Sequence, residues 1–376
     1  MFKFLRMFVF IFGVIILIVL IFGSFFIYLS PQFGGKPSKQ ELREFELTGY
    51  FSNGKFENQV ETKMDMSLNN IKGMMKDYIK GNPNKIPDID IPVVSIDSMA
   101  VDTFQENRLI WFGHSAFLLQ LDGQNILIDP MLGECPSPHP WLGPKRYNKI
   151  LPIQIEKLPK IDAVIISHDH YDHLDYSSII KLKDKTTAFY VPLGVAAHLR
   201  AWKISNEKIH QLKWWDSRNQ NGIEFVFVPS RHFSGRGVAD NSSTLWGSWV
   251  IKGQQQRIYF SGDSGYGPHF KSIGEKYGPF DFAMMECGQY NKRWANIHMF
   301  PEESAQAACD VKARIMMPIH WGAFTLALHD WNDPVKRVVR KANELNIPIT
   351  VPLIGQSISL DKISQEIDPW WLVKRH

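Results

Sequence analysis

The sequence predicts an α/β protein of four layers, an αββα sandwich, preceded by one N-terminal transmembrane helix. Two runs of short strands are each followed by helical patterns, as expected when helices cover the outer faces of two packed sheets. The first 30 residues are almost entirely apolar, whereas the whole chain has an ordinary globular composition, 44% hydrophobic and 21% charged. A chain of 376 residues can bury a substantial core.

The N-terminal apolar segment predicts an uncleaved, single-pass membrane anchor over residues 1–30. No residue between Phe8 and Leu29 is charged, and about 20 residues suffice to cross a bilayer. A signal peptide is the alternative, but its apolar core is usually about 7–15 residues long and ends at small residues. Here the apolar run continues beyond Gly23 and Ser24. Basic residues flank the segment on both sides, so the side of the membrane that holds the body stays undecided.

Residues 31–100 are predicted to be a connector and N-terminal extension that packs on the main domain, which is expected to span residues 101–376. Glycine and proline between residues 31 and 60 indicate the connector, which leads into a short strand. Ser67 is placed to cap a helix that runs to about Tyr78. A stripe on or near one face of this helix is expected to face the core. It consists of Met66, Ile71, Met74 and Met75.

The main domain is predicted to contain about ten strands and four helices. The turn signal Asp122-Gly123 joins the second and third strands. The strands are expected at 108–111, 116–121, 125–129, 163–166, 188–191, 223–228, 246–251, 257–260, 282–285 and 314–317. The helices are expected near 174–183, 194–202, 301–311 and 334–345.

Charge and cysteine content argue against two classes of protein. A formal net charge of +4, spread over this length, is too small to indicate a nucleic-acid-binding protein. The three cysteines, Cys135, Cys287 and Cys309, are widely spaced and odd in number, so no disulfide framework is implied. We expect Cys287 and Cys309 to be small core residues.

The chemically densest stretch is Ser167-His168-Asp169-His170-Tyr171-Asp172-His173. It lies between a predicted strand and a predicted helix, a position that commonly holds the chemistry of layered α/β folds. Imidazole and carboxylate are ordinary zinc ligands, and their alternation lets one loop serve two adjacent metals. A surface turn is the alternative, but turn chemistry does not account for three histidines and two aspartates in six residues.

The pattern His168-x-His170-x-Asp172-His173 resembles the signature of the metallo-β-lactamase-fold hydrolases. Three later strand ends, at 228–232, 259–265 and 317–322, resemble that family's remaining metal motifs. The resemblance implies His168, His170 and His232 for one metal, Asp172, His173 and His320 for the other, and Asp263 as a bridge between them. It implies two zinc ions, although a His/Asp set without thiolate also suits manganese or iron. An aspartate at the position of Asp129 is generally a structural hydrogen-bonding residue in this family.

Several segments narrow the resemblance to the N-acylphosphatidylethanolamine-hydrolysing phospholipase D branch, over roughly residues 105–350. They are 111–114, 231–236, 261–266, 298–303 and 318–322. This branch implies phosphodiester cleavage in such phospholipids by hydroxide shared between the two metals. Asp172 and Asp263 would orient the hydroxide and are the candidate catalytic residues. Candidate substrate contacts are His298, Arg236 and His114, because a cation or an imidazole can hold a phosphate oxygen.

Other functions stay open at this point. The first is a lactonase or ester hydrolase acting on a small polar, phosphorylated metabolite. The second is a metal-stabilised binding module, which is disfavoured because all seven ligands are present. The expected partners are the lipid bilayer, through the anchor, and a phospholipid or small ester substrate, with no nucleic acid. A homodimer is left open.

Overall fold

The computed structural model describes residues 2–62, 67–104, 106–362 and 368–372, and it begins with a 28-residue helix, α1, from Phe2 to Leu29. This helix is long and apolar enough to cross a membrane, and no part of its most apolar window is buried against the body. Length and composition alone do not distinguish a span from a signal sequence.

The described residues contain helices and short strands in alternation. The further helices are α2 (Lys39–Glu46), α3 (Leu68–Lys80), α4 (Ser98–Asp102), α5 (Tyr176–Leu182), α6 (Ala196–Ala201), α7 (His269–Tyr277), α8 (Pro301–Asp310) and α9 (Asp333–Glu344). The strands are β1 (Phe51–Ser52), β2 (Lys55–Phe56), β3 (Arg108–Trp111), β4 (Phe117–Leu121), β5 (Gln124–Ile128), β6 (Ile161–Ile165), β7 (Thr186–Pro192), β8 (Ile209–Leu212), β9 (Ser217–Gln220), β10 (Ile223–Val228), β11 (Ser248–Lys252), β12 (Arg257–Phe260), β13 (Phe282–Glu286), β14 (Met316–Ile319) and β15 (Ser357–Ser359). Among the elements that the sequence did not indicate are α7, β8, β9 and β15.

Two large sheets form the middle of the molecule. One has the order β15-β3-β4-β5-β6-β7-β8, and its strands β5 to β8 run parallel. The other has the order β14-β13-β12-β11-β10-β9, with β12, β13 and β14 parallel. Parallel neighbours place their carboxyl ends at one edge of a sheet, so the loops that leave these strands gather there.

Side-chain alternation along the strands fills two apolar layers. On β4, Phe117 and Leu119 face the core between the sheets, whereas Leu118 packs in the outer layer with Ile179 of α5. On the opposite side of the molecule, α8 packs against β13 and β14 and is flanked by α7 and α9. The predicted four-layer sandwich is therefore confirmed.

The N-terminal extension contributes to this core. Phe45 of α2 and Phe51 and Phe56 of the β1–β2 hairpin are buried with ring centroids 4.7–5.5 Å apart. In α3 the Ser67 hydroxyl accepts a hydrogen bond from the Asn70 amide, as a helix cap does.

Two expectations about burial are wrong. Met74 and Met75 of α3 are 38% and 60% exposed and do not face the core, because the helix lies on the body with its polar side. Met66 lies outside the described residues. Cys309 is exposed near the end of α8, whereas Cys287 is buried as expected.

We predict that Trp370→Ala lowers the free energy of unfolding by about 3–5 kcal/mol, the usual cost of truncating a buried tryptophan. Trp370 is 3% exposed and stacks on Trp321 with ring centroids 5.3 Å apart. Trp321 lies two residues after the end of β14. Urea unfolding followed by tryptophan fluorescence measures the change. The control is Leu372→Ala, since Leu372 is half exposed. Equal stability of the two variants would contradict this account of the packing.

Candidate metal centre

The candidate metal centre lies where the loops leaving β6, β10, β12 and β14 meet. Each of these strands ends in buried apolar residues, and a polar residue follows within two positions. These residues come from both sheets, so the site lies across the edge of the sandwich. All seven sequence-predicted ligand residues are brought to this place. They are His168, His170, Asp172, His173, His232, Asp263 and His320.

Three imidazoles form the first group. Nδ1 of His170 lies 2.8 Å from Nε2 of His168 and 3.3 Å from Nε2 of His232. One neutral imidazole nitrogen can donate to another, but three that converge on one point cannot all satisfy one another. A divalent cation at their centre would accept all three lone pairs, so the residues fit a metal.

The second group combines a carboxylate with histidines. Asp172, His173 and His320 place ligand atoms within 4.8 Å of one another, together with His114. Nε2 of His173 is buried without an aligned hydrogen-bond partner among the described residues. An imidazole nitrogen that faces two carboxylates without an aligned hydrogen bond has the placement expected of a metal ligand.

Asp263 lies between the two groups. Its Oδ2 is 3.8 Å from Nε2 of both His168 and His232, which belong to the first group. Its Oδ1 is 2.9 Å from Nδ1 of His320, which belongs to the second. Oδ2 also lies 3.2 Å from Nε2 of His173, so this carboxylate contacts both groups, which is the placement that a bridging ligand requires.

The charge states of His168, His232 and Asp263 suit metal binding. The pKa of His173 differs, since burial lowers it but the neighbouring carboxylates raise it well above the ordinary value of histidine. Burial lowers the pKa of His168 and of His232 well below the ordinary value of histidine, so both rings are neutral at pH 7. Burial raises the pKa of Asp263, but His173 and His320 beside it lower the pKa by more. The net pKa therefore lies well below its usual range. Neutral imidazole and ionised carboxylate are the forms that coordinate divalent cations.

Asp129, just after β5, positions the loop that holds most of these residues. Its Oδ2 accepts from Nδ1 of His173 at 2.7 Å and from the Ser167 hydroxyl at 2.5 Å. Its Oδ1 accepts from the Ser167 amide at 2.7 Å. The hydrogen bond to Nδ1 turns Nε2 of His173 toward Asp263, which is how carboxylates orient metal-binding histidines.

Backbone strain is concentrated at the same place. His114, Asp129 and His320 have φ values of 57°, 40° and 66°, a region that non-glycine residues rarely adopt. The His114 amide donates to the Trp321 carbonyl, and the His320 amide donates to the His114 carbonyl. This antiparallel bridge joins the two sheets and holds both histidines in their strained conformations.

A pocket of about 300 Å³ opens over the site. His298 lies in its wall, and its Nδ1 is 2.8 Å from Oε1 of the fully buried Glu286. Burial and the neighbouring Asp263 raise the pKa of Glu286 well above its usual range. Glu286 was not predicted as a site residue, although an acidic residue at the end of the apolar strand Phe282–Glu286 could have indicated one.

Two of the three predicted substrate contacts have other positions. Arg236 is 3% exposed, and its guanidinium donates to the carbonyls of Asp169, Leu174 and Gln32. Arg236 therefore supports the loop between β6 and α5, here called the metal loop, because its N–H groups are hydrogen-bonded to those carbonyls. His114 is fully buried, and its Nε2 lies 2.8 Å from Oδ2 of Asp172, so it orients that carboxylate.

Comparison with known proteins agrees with this geometry. The model of the beta-lactamase superfamily domain matches residues 124–321. An uncharacterised protein of Mycobacterium tuberculosis is 43% identical over 265 residues, covering 69% of this chain and 70% of that protein. An N-acyl-phosphatidylethanolamine-hydrolyzing phospholipase D of Caenorhabditis elegans is 33% identical over 261 residues, covering 66% of this chain and 72% of that protein.

A solved structure supports the fold. The metallo hydrolase Igni18 from Ignicoccus hospitalis superposes with a TM-score of 0.51 at 20% identity, covering 68% of this chain and 98% of that one. The family model covers more than half of this chain, and its matched segment contains all seven predicted ligand residues. This chain therefore belongs to the metallo-β-lactamase superfamily and is a metal-dependent hydrolase of that family.

Proposed function

We propose that this protein is a membrane-anchored, dinuclear zinc phosphodiesterase of phospholipase D type, acting on N-acylphosphatidylethanolamine-like phospholipids. The observation that carries the proposal is Asp263, one buried carboxylate facing two ligand groups at the base of a pocket. The name of the C. elegans relative supports the choice of phospholipid.

The proposed ligands are His168, His170 and His232 for one zinc, and Asp172, His173 and His320 for the other, with Asp263 between them. Two bound cations would supply hydroxide at neutral pH and neutralise the charge that develops on the phosphate oxygens. Zinc is favoured over manganese because imidazole nitrogens make up most of the donor set, which would also suit iron.

The other roles belong to side chains of this chain. Asp172, held by His114, and Asp263 would orient the attacking oxygen. Glu286 engages Nδ1 of His298, so Nε2 is the nitrogen left to meet a phosphate oxygen in the pocket. The pocket wall also contains Tyr171, Phe233 and Trp294, which suit the apolar part of an amphiphilic substrate.

Contacts between the end of α1 and the rest of the protein support an uncleaved anchor. Phe26 of α1 packs on His139, with ring centroids 4.9 Å apart, and the Ser30 hydroxyl lies 3.0 Å from Nε2 of the same histidine. Ser30 is 9% exposed. Cleavage between Leu29 and Ser30 would remove the contact of Phe26 with the folded body.

We predict that Asp263→Ala abolishes both activity and full metal loading. The full-length protein should release phosphatidic acid from N-acylphosphatidylethanolamine, and the variant should lose on the order of a thousandfold in kcat/KM, since the metals supply several kcal/mol to the transition state. Lipid products are measured by mass spectrometry, and metals by elemental analysis. The control is Glu275→Ala, an exposed carboxylate on α7.

The two parts of the proposal fail separately in this experiment. The phospholipase assignment would be wrong if the protein binds two zinc ions but hydrolyses neither the phospholipid nor a soluble phosphodiester. The result would favour a small polar ester or lactone, a substrate that the 300 Å³ pocket would also admit. Full loading of the alanine variant would remove Asp263 from the ligand set.

We predict that Asp129→Asn weakens the binding of one metal by about 10–100-fold, the usual effect of removing the group that orients a ligating histidine. Asparagine keeps the size of the side chain but cannot accept all the hydrogen bonds that Ser167 and His173 donate. Competition with a chromophoric chelator measures the affinity. Asp162→Asn, a carboxylate on β6 that accepts a bond from Asn125, is the control. Unchanged affinity for both metals would show that Asp129 does not position His173.

A further inference from the structure

Helix α3 presents its apolar side outward. Four of its side chains are 60–80% exposed, and helical spacing places them on one face: Leu68, Met75, Tyr78 and Ile79. A surface helix of a globular protein normally turns this face toward the core. Contiguous exposed apolar residues on one element mark a surface that contacts a partner or a membrane.

The polar side of α3 fixes this orientation. Arg293 donates to Asp77 at 2.8 Å through Nη2 and to Asn70 at 2.6 Å through Nη1. Gly73 faces the same guanidinium, where a Cβ atom would lie 2.5 Å from Nη2. The helix therefore lies on the body through charged and polar contacts, and the outward apolar face is built into the fold.

A row of lysines flanks the apolar face. Lys72, Lys76 and Lys80 are spaced four residues apart, are exposed, and follow one side of the helix. A helix with an apolar face and a lysine flank has the pattern of one that lies in a membrane interface. Lysines in this position pair with anionic headgroups while their stems stay among apolar groups.

The surface of α3 adjoins the catalytic pocket. A groove of about 520 Å³ runs along α3, between Met74 and Tyr78 on one side and Pro144 on the other. Trp294 and Leu326 line both this groove and the pocket over the metal centre. Whatever covers α3 therefore lies next to the substrate entrance.

The loop 133–146 connects this surface to the end of α1. It lines the groove through Gly143 and Pro144, and it exposes 70% of Trp141. Phe26 of α1 lies 6.1 Å from the Trp141 ring and 4.9 Å from the His139 ring. An exposed tryptophan beside a membrane span is typical of the water–lipid interface.

No free linker separates α1 from the body. Immediately after Leu29, the Pro31 carbonyl accepts from Nε1 of Trp202 at 2.6 Å, and the Gln32 carbonyl accepts from Arg236. A body tied this closely to a membrane span cannot move away from the bilayer. The lipid surface is therefore the partner that reaches the neighbouring apolar face.

We propose that α3 lies in the lipid interface of the leaflet from which α1 emerges, with its apolar face among the acyl chains and its lysines at anionic headgroups. The catalytic pocket then opens at the membrane surface, where a phospholipid can enter along the groove without crossing water. This inference rests on the membrane anchoring in the proposed function, and it assigns α3 a role independent of the chemistry.

Depth-dependent quenching tests the position of α3. Met75→Cys is introduced into the full-length chain with Cys309→Ser, labelled with an environment-sensitive fluorophore, and reconstituted in phosphatidylcholine–phosphatidylglycerol vesicles that contain brominated lipids. We expect a blue shift and strong quenching at position 75. The same label at Glu275→Cys on α7 should be unaffected. Intact mass verifies that residues 1–30 are retained.

Two outcomes would overturn the proposal. A label at position 75 that stays in water in the vesicles would show that lipid does not cover α3. Energy transfer between labelled chains that persists on dilution into excess lipid would show that a second copy covers it. Neither readout needs turnover, so an inactive protein with a quenched label would contradict only the proposed function.

Charge substitutions test the consequence for turnover. Met75→Glu with Ile79→Glu should lower the hydrolysis of vesicle phospholipid by about tenfold or more, because a carboxylate resists burial among acyl chains. Metal content and the turnover of a soluble phosphodiester should be unchanged. Ser272→Glu with Asn343→Glu adds the same charge at exposed positions of α7 and α9, away from α3, and is the matched control. Equal loss in both variants, or no loss in either, would contradict the assigned surface.

Discussion

Asp263 carries a negative charge into the interior, and the surrounding arrangement depends on it. A buried carboxylate without partners would cost several kcal/mol in lost hydration. Here His173 and His320 supply nearby positive potential, which keeps the pKa of Asp263 low. Their own positions depend on Asp129 and on the strained bridge at His114. The fold therefore concentrates polar groups that only a bound cation can fully satisfy.

The loops around the metal centre are supported by the connector that follows α1. Arg236 ties the metal loop to Gln32, and His198 links the Gly35 amide to the buried carboxylate of Asp169. Asp169 in turn accepts from the Gly235 amide and the Thr244 hydroxyl. The connector after α1 is thus part of the support of the site, because the same contacts hold both the connector and the loops of the metal centre.

The sequence also misled in instructive ways. Arg236 has a residue type that suits phosphate, but the tertiary structure surrounds it with carbonyl groups, which use its donors. The methionines of α3 have core-like spacing, but periodicity shows only that one face is apolar. Which way that face points was decided by Asp77 and Asn70 binding Arg293, more than 200 residues away. The short strand β9 lies at the edge of its sheet, pairs with one neighbour and is polar. Its sequence therefore lacks the apolar pattern that indicates a strand.

By itself the sequence determined the αββα architecture, the apolar N-terminal helix and the residues that meet at the candidate metal centre. It could do so because strand periodicity and short motifs at strand ends are local properties that can be read directly from the order of the residues. Only the tertiary structure decided that Glu286 lies behind His298, that His114 faces Asp172, and that the apolar face of α3 points outward. These facts depend on contacts between distant segments, whose partners no local pattern specifies.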